Sequence, residues 1–435
     1  MIQSLNSASA LSGTVRLPGD KSISHRYAMI SAIAEGTSVI EHFAASRDCH
    51  STLGCLKSLG VEVLESGATV TVRGRGLRGL KAANRILDAG NSGTTIRLLS
   101  GILAGHSFES SITGDDSLSN RPMGRIIRPL RQMGASIESR ERELPPLRIR
   151  GGSLRGIRYS LPVASAQVKS CVLLAGLYGD APTAVEETIP TRDHTEVALK
   201  EFGGTVRSEG NWIEAYPEPR LQGQRLIVPS DLSGAAFFLV AAALVPNSHL
   251  SLPGVGLNRL RRELLDYLIS AGLNIDVVNE TEISGEPRGD LRVHYSPELL
   301  QRRLPPIQGK LVASLIDEIP VLAVLGSQAA GGLTISNAQE LRVKESDRIS
   351  AIVSNLRAMG AEVEEKPDGL SLKGGQQLHG ADIVTKNDHR IAMAFGIAAL
   401  TAGGETRIHD AECADVSFPG FWDAVRTAAA LRSVR

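Results

Sequence analysis

A phrase that recurs five times restricts the fold more than any other feature of this chain. It consists of a leucine closing an apolar-periodic stretch, three residues, a glycine, two residues and a β-branched residue. The copies are Leu56–Val63, Leu130–Ile137, Leu199–Val206, Leu268–Ile275 and Leu356–Val363. Their glycines, Gly60, Gly134, Gly203, Gly272 and Gly360, are separated by 74, 69, 69 and 88 residues. Each copy predicts the end of an amphipathic helix, a left-handed glycine cap and the start of a strand. The alternating stretches 68–73 and 369–373 that follow two of the copies predict half-buried strands.

A second series marks helix beginnings. It runs Asp20–Arg26, Asn91–Arg97, Ser165–Lys169, Ser230–Ala235, Asp317–Pro320 and Asn387–Arg390. Each member places Ser, Asp or Asn where an N-cap belongs, ahead of an apolar helical stretch. Six openings imply six units, the last without the glycine phrase. A period near 70 exceeds the roughly 20–50 residues of solenoid repeats, and 435 residues exceed one ordinary core. Two domains of three units each are therefore expected, divided near Val228–Ser230. Residues 12–17 read as a strand able to pair with either half.

Lysine plus arginine (47) cancels aspartate plus glutamate (47), so no global field favours nucleic acid or an anionic membrane. Aromatic residues, at 4%, are too sparse for base-stacking platforms. The four cysteines form no Cys-x-x-Cys pair, which points away from metal or disulfides and toward a reducing cytoplasm. Residues 1–17 lack a basic region followed by an apolar stretch, so no signal peptide is expected. The longest apolar runs, 235–245 and 391–402, fall short of the roughly 20 residues that span a bilayer and read as buried helices. No Rossmann fingerprint, P-loop or Gly-x-Ser-x-Gly elbow is present, so neither ATP nor a nicotinamide cofactor is implied.

A neutral chain that sets cations beside helix openings is suited to reading a small polyanion, because a helix N-terminus offers free N–H groups and partial positive charge. Lys21, Arg26, Arg97, Lys169 and Arg390 sit at such openings, and two basic clusters, 120–125 and 342–348, lie in loops. Two carboxylates in different surroundings can divide acid and base roles. Asp317 at a helix opening and Glu345 between cations are the candidates. The sequence also allows Asp317 to act as a cap and Glu345 to be an ion-pair partner of Lys344 or Arg348. Asp48–His50 reads as surface helix, and His389 as either a proton carrier or a helix-start hydrogen bonder.

With these residues in view, the chain resembles the 5-enolpyruvylshikimate-3-phosphate synthase family. The phrases 17–26, 91–97, 121–123, 165–167, 342–348 and 388–390 carry the match, in the family's order and over nearly the whole chain. The resemblance implies an α/β (α+β) fold of two similar domains, each of three βαβαββ repeats, the inside-out α/β barrel of the enolpyruvyl transferases. One lobe would be 20–229 and the other 1–19 plus 230–435, with the active site in the cleft between them. The implied reaction moves the enolpyruvyl group of phosphoenolpyruvate to the 5-hydroxyl of shikimate 3-phosphate through a tetrahedral intermediate. It needs no metal or organic cofactor. The implied partners are the two small-molecule substrates, with no nucleic acid and no membrane, for a cytoplasmic monomer.

The resemblance assigns catalysis to Asp317, Glu345 and Lys21. Shikimate 3-phosphate would meet Lys21, Ser22, Arg26, Ser165, Ala166, Gln167, Arg192, Asp317 and Lys344. Phosphoenolpyruvate would meet Lys21, Gly93, Arg121, Gln167, Arg348 and Arg390. Ala166 stands where many members have a second serine, and Val416 where many carry a lysine that contacts phosphoenolpyruvate. Gly93 keeps the small residue that admits the inhibitor glyphosate in this family. The sister transferases that act on UDP-N-acetylglucosamine usually carry a cysteine in the loop corresponding to 115–125, and this loop has none.

Overall fold

All five phrase glycines adopt the left-handed backbone, with φ of 83° at Gly60, 108° at Gly134, 91° at Gly203, 105° at Gly272 and 85° at Gly360. In each copy the residue after the glycine donates its N–H to the carbonyl of the phrase leucine. The distances are 3.1 Å from Val61 to Leu56, 3.0 Å from Ala135 to Leu130 and 2.7 Å from Gly204 to Leu199. They are 2.9 Å from Leu273 to Leu268 and 2.9 Å from Ala361 to Leu356. This six-to-one bond is the Schellman closure, which a β-carbon would strain. The phrase thus ends helices Arg47–Ser58, Gly124–Gln132, His194–Glu201, Glu263–Ala271 and Arg348–Ala358. It begins strands Glu62–Ser66, Ser136–Arg140, Val206–Glu209, Ile275–Ile283 and Val363–Lys366.

The computed structural model describes residues 1–430. The chain forms two compact units, one of 1–18, 229–281 and 287–435, the other of 19–228 and 282–286. Each has its own apolar core.

In the 19–228 unit the repeat is plainest at Leu87–Asp88, helix Gly93–Ala104, Glu109–Thr113, helix Gly124–Gln132, Ser136–Arg140 and Leu144–Arg150. The first two strands pair in parallel, and the last strand pairs antiparallel with both of its neighbours. A second sheet repeats this order with Arg158–Ser160, Thr183–Glu186, Trp212–Ala215 and Val206–Glu209. The third borrows its first strand, Arg225–Ile227, from the far end of the unit and pairs it in parallel with Thr37–Glu41.

The other unit repeats the scheme with strands taken from the N-terminus. Ser12–Thr14 pairs in parallel with His249–Gly256. Gln3–Leu5 pairs antiparallel with Thr406–Ile408, completing the repeat that lacks a glycine phrase. The strand that sequence left free to join either half therefore joins this unit as Ser12–Thr14, and Gln3–Leu5 ahead of it serves a second repeat of the same unit. Among the described residues the six sheets have three or four strands each and are hydrogen-bonded separately.

Within each repeat the two helices differ in character. The first is largely buried, in two repeats wholly so: every residue of Leu232–Leu244 and of His389–Ala399 is buried. The second is amphipathic, as in Gly124–Gln132 with its exposed Arg125, Arg128 and Arg131. Strands such as Leu144–Arg150 alternate buried and exposed residues, so each sheet offers one face to a core and one to water. A helix buried on all sides must pack against its equivalents. Gly101 shows how closely: a β-carbon there would lie 2.2 Å from the Cys171 carbonyl oxygen of helix Ala166–Gly176.

Candidate active site

The buried first helices carry the openings picked out in the sequence, and in the 19–228 unit these openings meet. Asp20 caps helix Lys21–Ile33 by accepting from the Ile23 N–H, Ser92 caps Gly93–Ala104, and Ser165 caps Ala166–Gly176. Arg97 donates to Gln167 Oε1 at 2.6 Å, and Gln167 Nε2 donates to Thr94 Oγ1 at 2.9 Å. Gly93 lies beside both arginines of this group: a β-carbon on it would stand 2.6 Å from a terminal nitrogen of Arg97 and 3.7 Å from one of Arg121. Arg121 is itself buried and donates to Asn91 Oδ1 and Ser117 Oγ, both at 2.9 Å.

Arg26 is the most unusual group here. Its guanidinium donates to Thr195 Oγ1 at 2.7 Å, to the Ser22 carbonyl at 2.8 Å and to Ser170 Oγ at 2.8 Å. All three are neutral acceptors. Burial, opposed in part by the more distant Glu196 and reinforced by Arg192, pulls its pKa down to about 10. A buried cation held by neutral groups favours an incoming anion. Ala166 begins its helix, and its carbonyl accepts from Ser170 Oγ.

Two sequence readings change in this unit. Asp48, read as surface helix, is buried and holds Lys21 Nζ at 2.9 Å. Lys169, read as an anion-reading cation, is 1% exposed and already bound by Glu187 and Glu196 at 2.9 and 2.7 Å. Both roles depend on partners in other segments.

The second set of residues lies in the other unit, gathered around Arg348. This guanidinium, 1% exposed, donates through Nε to Asp388 Oδ2 at 2.8 Å and through one terminal nitrogen to Glu345 Oε2 at 2.5 Å. Its other terminal nitrogen lies 3.5 Å from Asp317 Oδ1 and makes no hydrogen bond among the described residues. Burial pulls Arg348 down, but Asp388, Glu345 and Asp317 outweigh it and hold the group above the usual arginine range. Lys344 Nζ is 3.4 Å from the same Asp317 oxygen. Asp317 and Glu345 keep 22% and 20% of their side chains exposed, so both carboxylates can be reached.

Asp388 links this group to Arg390 by capping helix His389–Ala399 through the Arg390 N–H. Arg390 donates to Ser233 Oγ at 2.6 Å and lies 3.6 Å from Glu318 Oε1, which also bonds Ser233 Oγ. Asp317 is not a cap. It sits in the turn before helix Ile319–Gln328, whose N-cap position is Glu318. Ser233 and Glu318, which sequence reasoning did not single out, were marked only by belonging to helix openings. Val416 lies half-buried in a 3₁₀ turn, Ala411–Val416. Among the described residues no group of three His, Cys, Asp or Glu side chains is placed to hold a metal ion. No helix among them is long and apolar enough to cross a membrane.

The predicted site residues therefore fall into two clusters. One holds Lys21, Ser22, Arg26, Gly93, Arg121, Ser165, Ala166, Gln167 and Arg192. The other holds Asp317, Lys344, Glu345, Arg348 and Arg390. The first is built to attract anions, and the second pairs two reachable carboxylates with cations.

Known proteins resemble this chain over nearly its whole length. Residues 5–425 match the profile of the family described as EPSP synthase (3-phosphoshikimate 1-carboxyvinyltransferase). The chain is 53% identical over 425 residues to the 3-phosphoshikimate 1-carboxyvinyltransferase of Solibacter usitatus, covering 98% of this chain and 99% of that one. It is 49% identical to the enzyme of the same name from Thermoanaerobacter sp., over 95% of this chain and 96% of the other. Among solved structures it is similar to EPSP synthase from Acinetobacter baumannii, with TM-score 0.86, 42% identity and 98% of each chain covered. An enolpyruvyl transferase from Streptomyces tendae, 18% identical with TM-score 0.76 over 98% of this chain and 97% of that one, shares the fold.

Proposed function

The chain belongs to the EPSP synthase (3-phosphoshikimate 1-carboxyvinyltransferase) family, and from that premise we propose how its residues divide the family's reaction. The enzyme transfers the enolpyruvyl group of phosphoenolpyruvate to the 5-hydroxyl of shikimate 3-phosphate and releases phosphate, a step of aromatic amino-acid biosynthesis. In the addition half, the hydroxyl oxygen bonds to C2 of phosphoenolpyruvate, the hydroxyl proton leaves, and C3 gains a proton to become a methyl group. In the elimination half, the bond from C2 to the phosphate oxygen breaks and the methyl group returns a proton. Both halves need one group at the oxygen and another at the carbon.

The observation that carries the assignment is that Asp317 and Glu345 flank one buried guanidinium, at 3.5 and 2.5 Å, while both keep a solvent-facing edge. Asp317, with Lys344 beside it, holds the acceptor hydroxyls and takes the hydroxyl proton. Glu345 delivers a proton to the methylene carbon and takes one back. Arg348 has a buried nitrogen without a hydrogen bond among the described residues, which supports its pairing with phosphoenolpyruvate. An anion arriving there competes with Glu345 for the guanidinium and loosens that carboxylate for proton transfer.

Lys21 stands near the reacting oxygens as a second proton-transfer group. The shikimate phosphate lies against Ser22, Arg26, Ser165, Ala166, Gln167 and Arg192. Phosphoenolpyruvate meets Gly93, Arg121, Gln167 and Arg390 besides Lys21 and Arg348. Bringing two anions together costs repulsion that desolvated cations offset. Where serine is replaced by Ala166, the backbone N–H at the helix start still faces the phosphate position.

We also propose that the functional lobes are 20–229 and 1–19 plus 230–435. The enzyme then works as a cytoplasmic monomer without a metal or organic cofactor. The decisive assay is phosphate release from phosphoenolpyruvate with and without shikimate 3-phosphate. Release only when both are present supports the assignment, and release that ignores the shikimate ester refutes it.

A further inference from the structure

We propose that Lys169 is a positioning residue for recognition of the shikimate phosphate, acting through Arg192. The inference rests on the placement of Arg192 in that site, proposed above. An ammonium has three hydrogens to donate, and those of Lys169 all have partners in the protein. Its Nζ lies 2.9 Å from Glu187 Oε2, 2.7 Å from Glu196 Oε1 and 3.1 Å from the Thr191 carbonyl. None is left for a ligand. The Thr191 hydroxyl bonds back to Glu187 Oε1, closing the loop on itself. The attachments fall at residues 187, 191 and 196, so they bracket Arg192 on both sides.

The next residue of the same helix fixes the other arginine. Ser170 Oγ accepts from Arg26 at 2.8 Å and shares a hydrogen bond of 2.6 Å with Thr195 Oγ1, which itself accepts from Arg26 at 2.7 Å. Two consecutive residues of helix Ala166–Gly176 thereby set the segment carrying Arg192 and the guanidinium of Arg26. These two cations repel, and Arg192 contributes to lowering the pKa of Arg26. Two repelling cations serving one site call for a fixed loop. Lys169 ties it without adding uncompensated charge, because Glu187 and Glu196 accompany the ammonium.

The test is a double-mutant cycle in steady-state kinetics, with Lys169→Met, Arg192→Ala and the pair. Lys169→Met leaves two buried carboxylates unpaired, a change able to unfold a protein. The neutral triple variant Lys169→Met/Glu187→Gln/Glu196→Gln is therefore measured alongside it. We expect KM for shikimate 3-phosphate to rise about tenfold, the scale of one misplaced charge-assisted hydrogen bond. KM for phosphoenolpyruvate and kcat should stay within about twofold, and the double variant should be no worse than Arg192→Ala alone. A merely structural lysine would instead lower kcat or raise both KM values together, and multiplicative losses in the double variant would equally overturn the inference. If Arg192→Ala raises that KM while the folded Lys169 variants do not, the inference alone falls. If Arg192→Ala itself has no effect, the placement of Arg192 falls and takes the inference with it.

Discussion

Arg348 Nε lies 2.8 Å from Asp388 Oδ2, with the two side chains 1% and 0% exposed, so a fully buried ion pair sets the direction of the guanidinium that faces Asp317 and Glu345. Asp388 has a second duty, capping helix His389–Ala399. Asp388→Asn separates the two, because asparagine caps as well as aspartate but carries no charge. Arg348 keeps Glu345 as a partner, so the stability loss should stay below the roughly 3–5 kcal/mol of breaking a lone buried pair. Freed from Asp388, the guanidinium can swing, and KM for phosphoenolpyruvate should rise about tenfold or more. Steady-state kinetics against both substrates checks this, and an unchanged KM for phosphoenolpyruvate would detach Asp388 from anion binding.

Asp317 is the side chain assigned to the hydroxyl proton, and it is partly exposed in a turn rather than engaged in capping. Its replacement by asparagine preserves shape and hydrogen bonding but removes the base. Turnover should fall by about 10²–10⁴, the range for loss of a general base. Both ligands should still bind, as followed by calorimetry. Near-normal turnover would remove Asp317 from the proton path.

The sequence was most legible where structure is local. A six-to-one hydrogen bond closes within one turn, so the glycine phrase announced its geometry without reference to the rest of the chain. N-caps were legible for the same reason, although Asp317, which the sequence allowed as a cap, leaves the N-cap position to Glu318. Side chains paired across segments were not legible. Asp48 meets Lys21 across 27 residues, and Ser233 meets Glu318 across 85. No periodicity records such a meeting, so Asp48 read as solvated and Lys169 as a ligand-facing cation. A lysine among carboxylates and a lysine awaiting phosphate look alike until the fold brings Glu187 and Glu196 into place.

Gly93 yields a sharper expectation from the structure than from resemblance alone. A β-carbon there would press on the end of Arg97, which donates to Gln167 at 2.6 Å. A long side chain can give way, so Gly93→Ala should fold and retain catalysis. The displaced guanidinium intrudes on the space beside Arg121, where a ligand bulkier than phosphoenolpyruvate suffers most. Glyphosate should compete with phosphoenolpyruvate in the parent enzyme, and the substitution should raise its inhibition constant more than KM for the substrate. Equal increases would place the inhibitor elsewhere.

The last expectation concerns His25, which lies between the cations of the first opening. It is wholly buried, with Nδ1 2.7 Å from Thr52 Oγ1. Burial first, then the charges of Lys21 and Arg26, push its pKa well below the ordinary histidine value. A third cation at this place would only strengthen the repulsion between Lys21 and Arg26. The unfolded chain, by contrast, protonates this histidine as pH falls through about 6.5. The unfolded state then binds more protons than the folded one, so stability must drop on acidification, by at most about 1.4 kcal/mol per pH unit for one such group. His106, also lowered chiefly by burial, adds to the same slope. Replacing His25 with asparagine removes its share while leaving that of His106. The stability lost between pH 7 and pH 5.5, measured by denaturant unfolding, should therefore shrink by about 1 kcal/mol in His25→Asn. Parallel pH profiles for the two proteins would mean that His25 takes up its proton without unfolding, and that the opening tolerates a further positive charge.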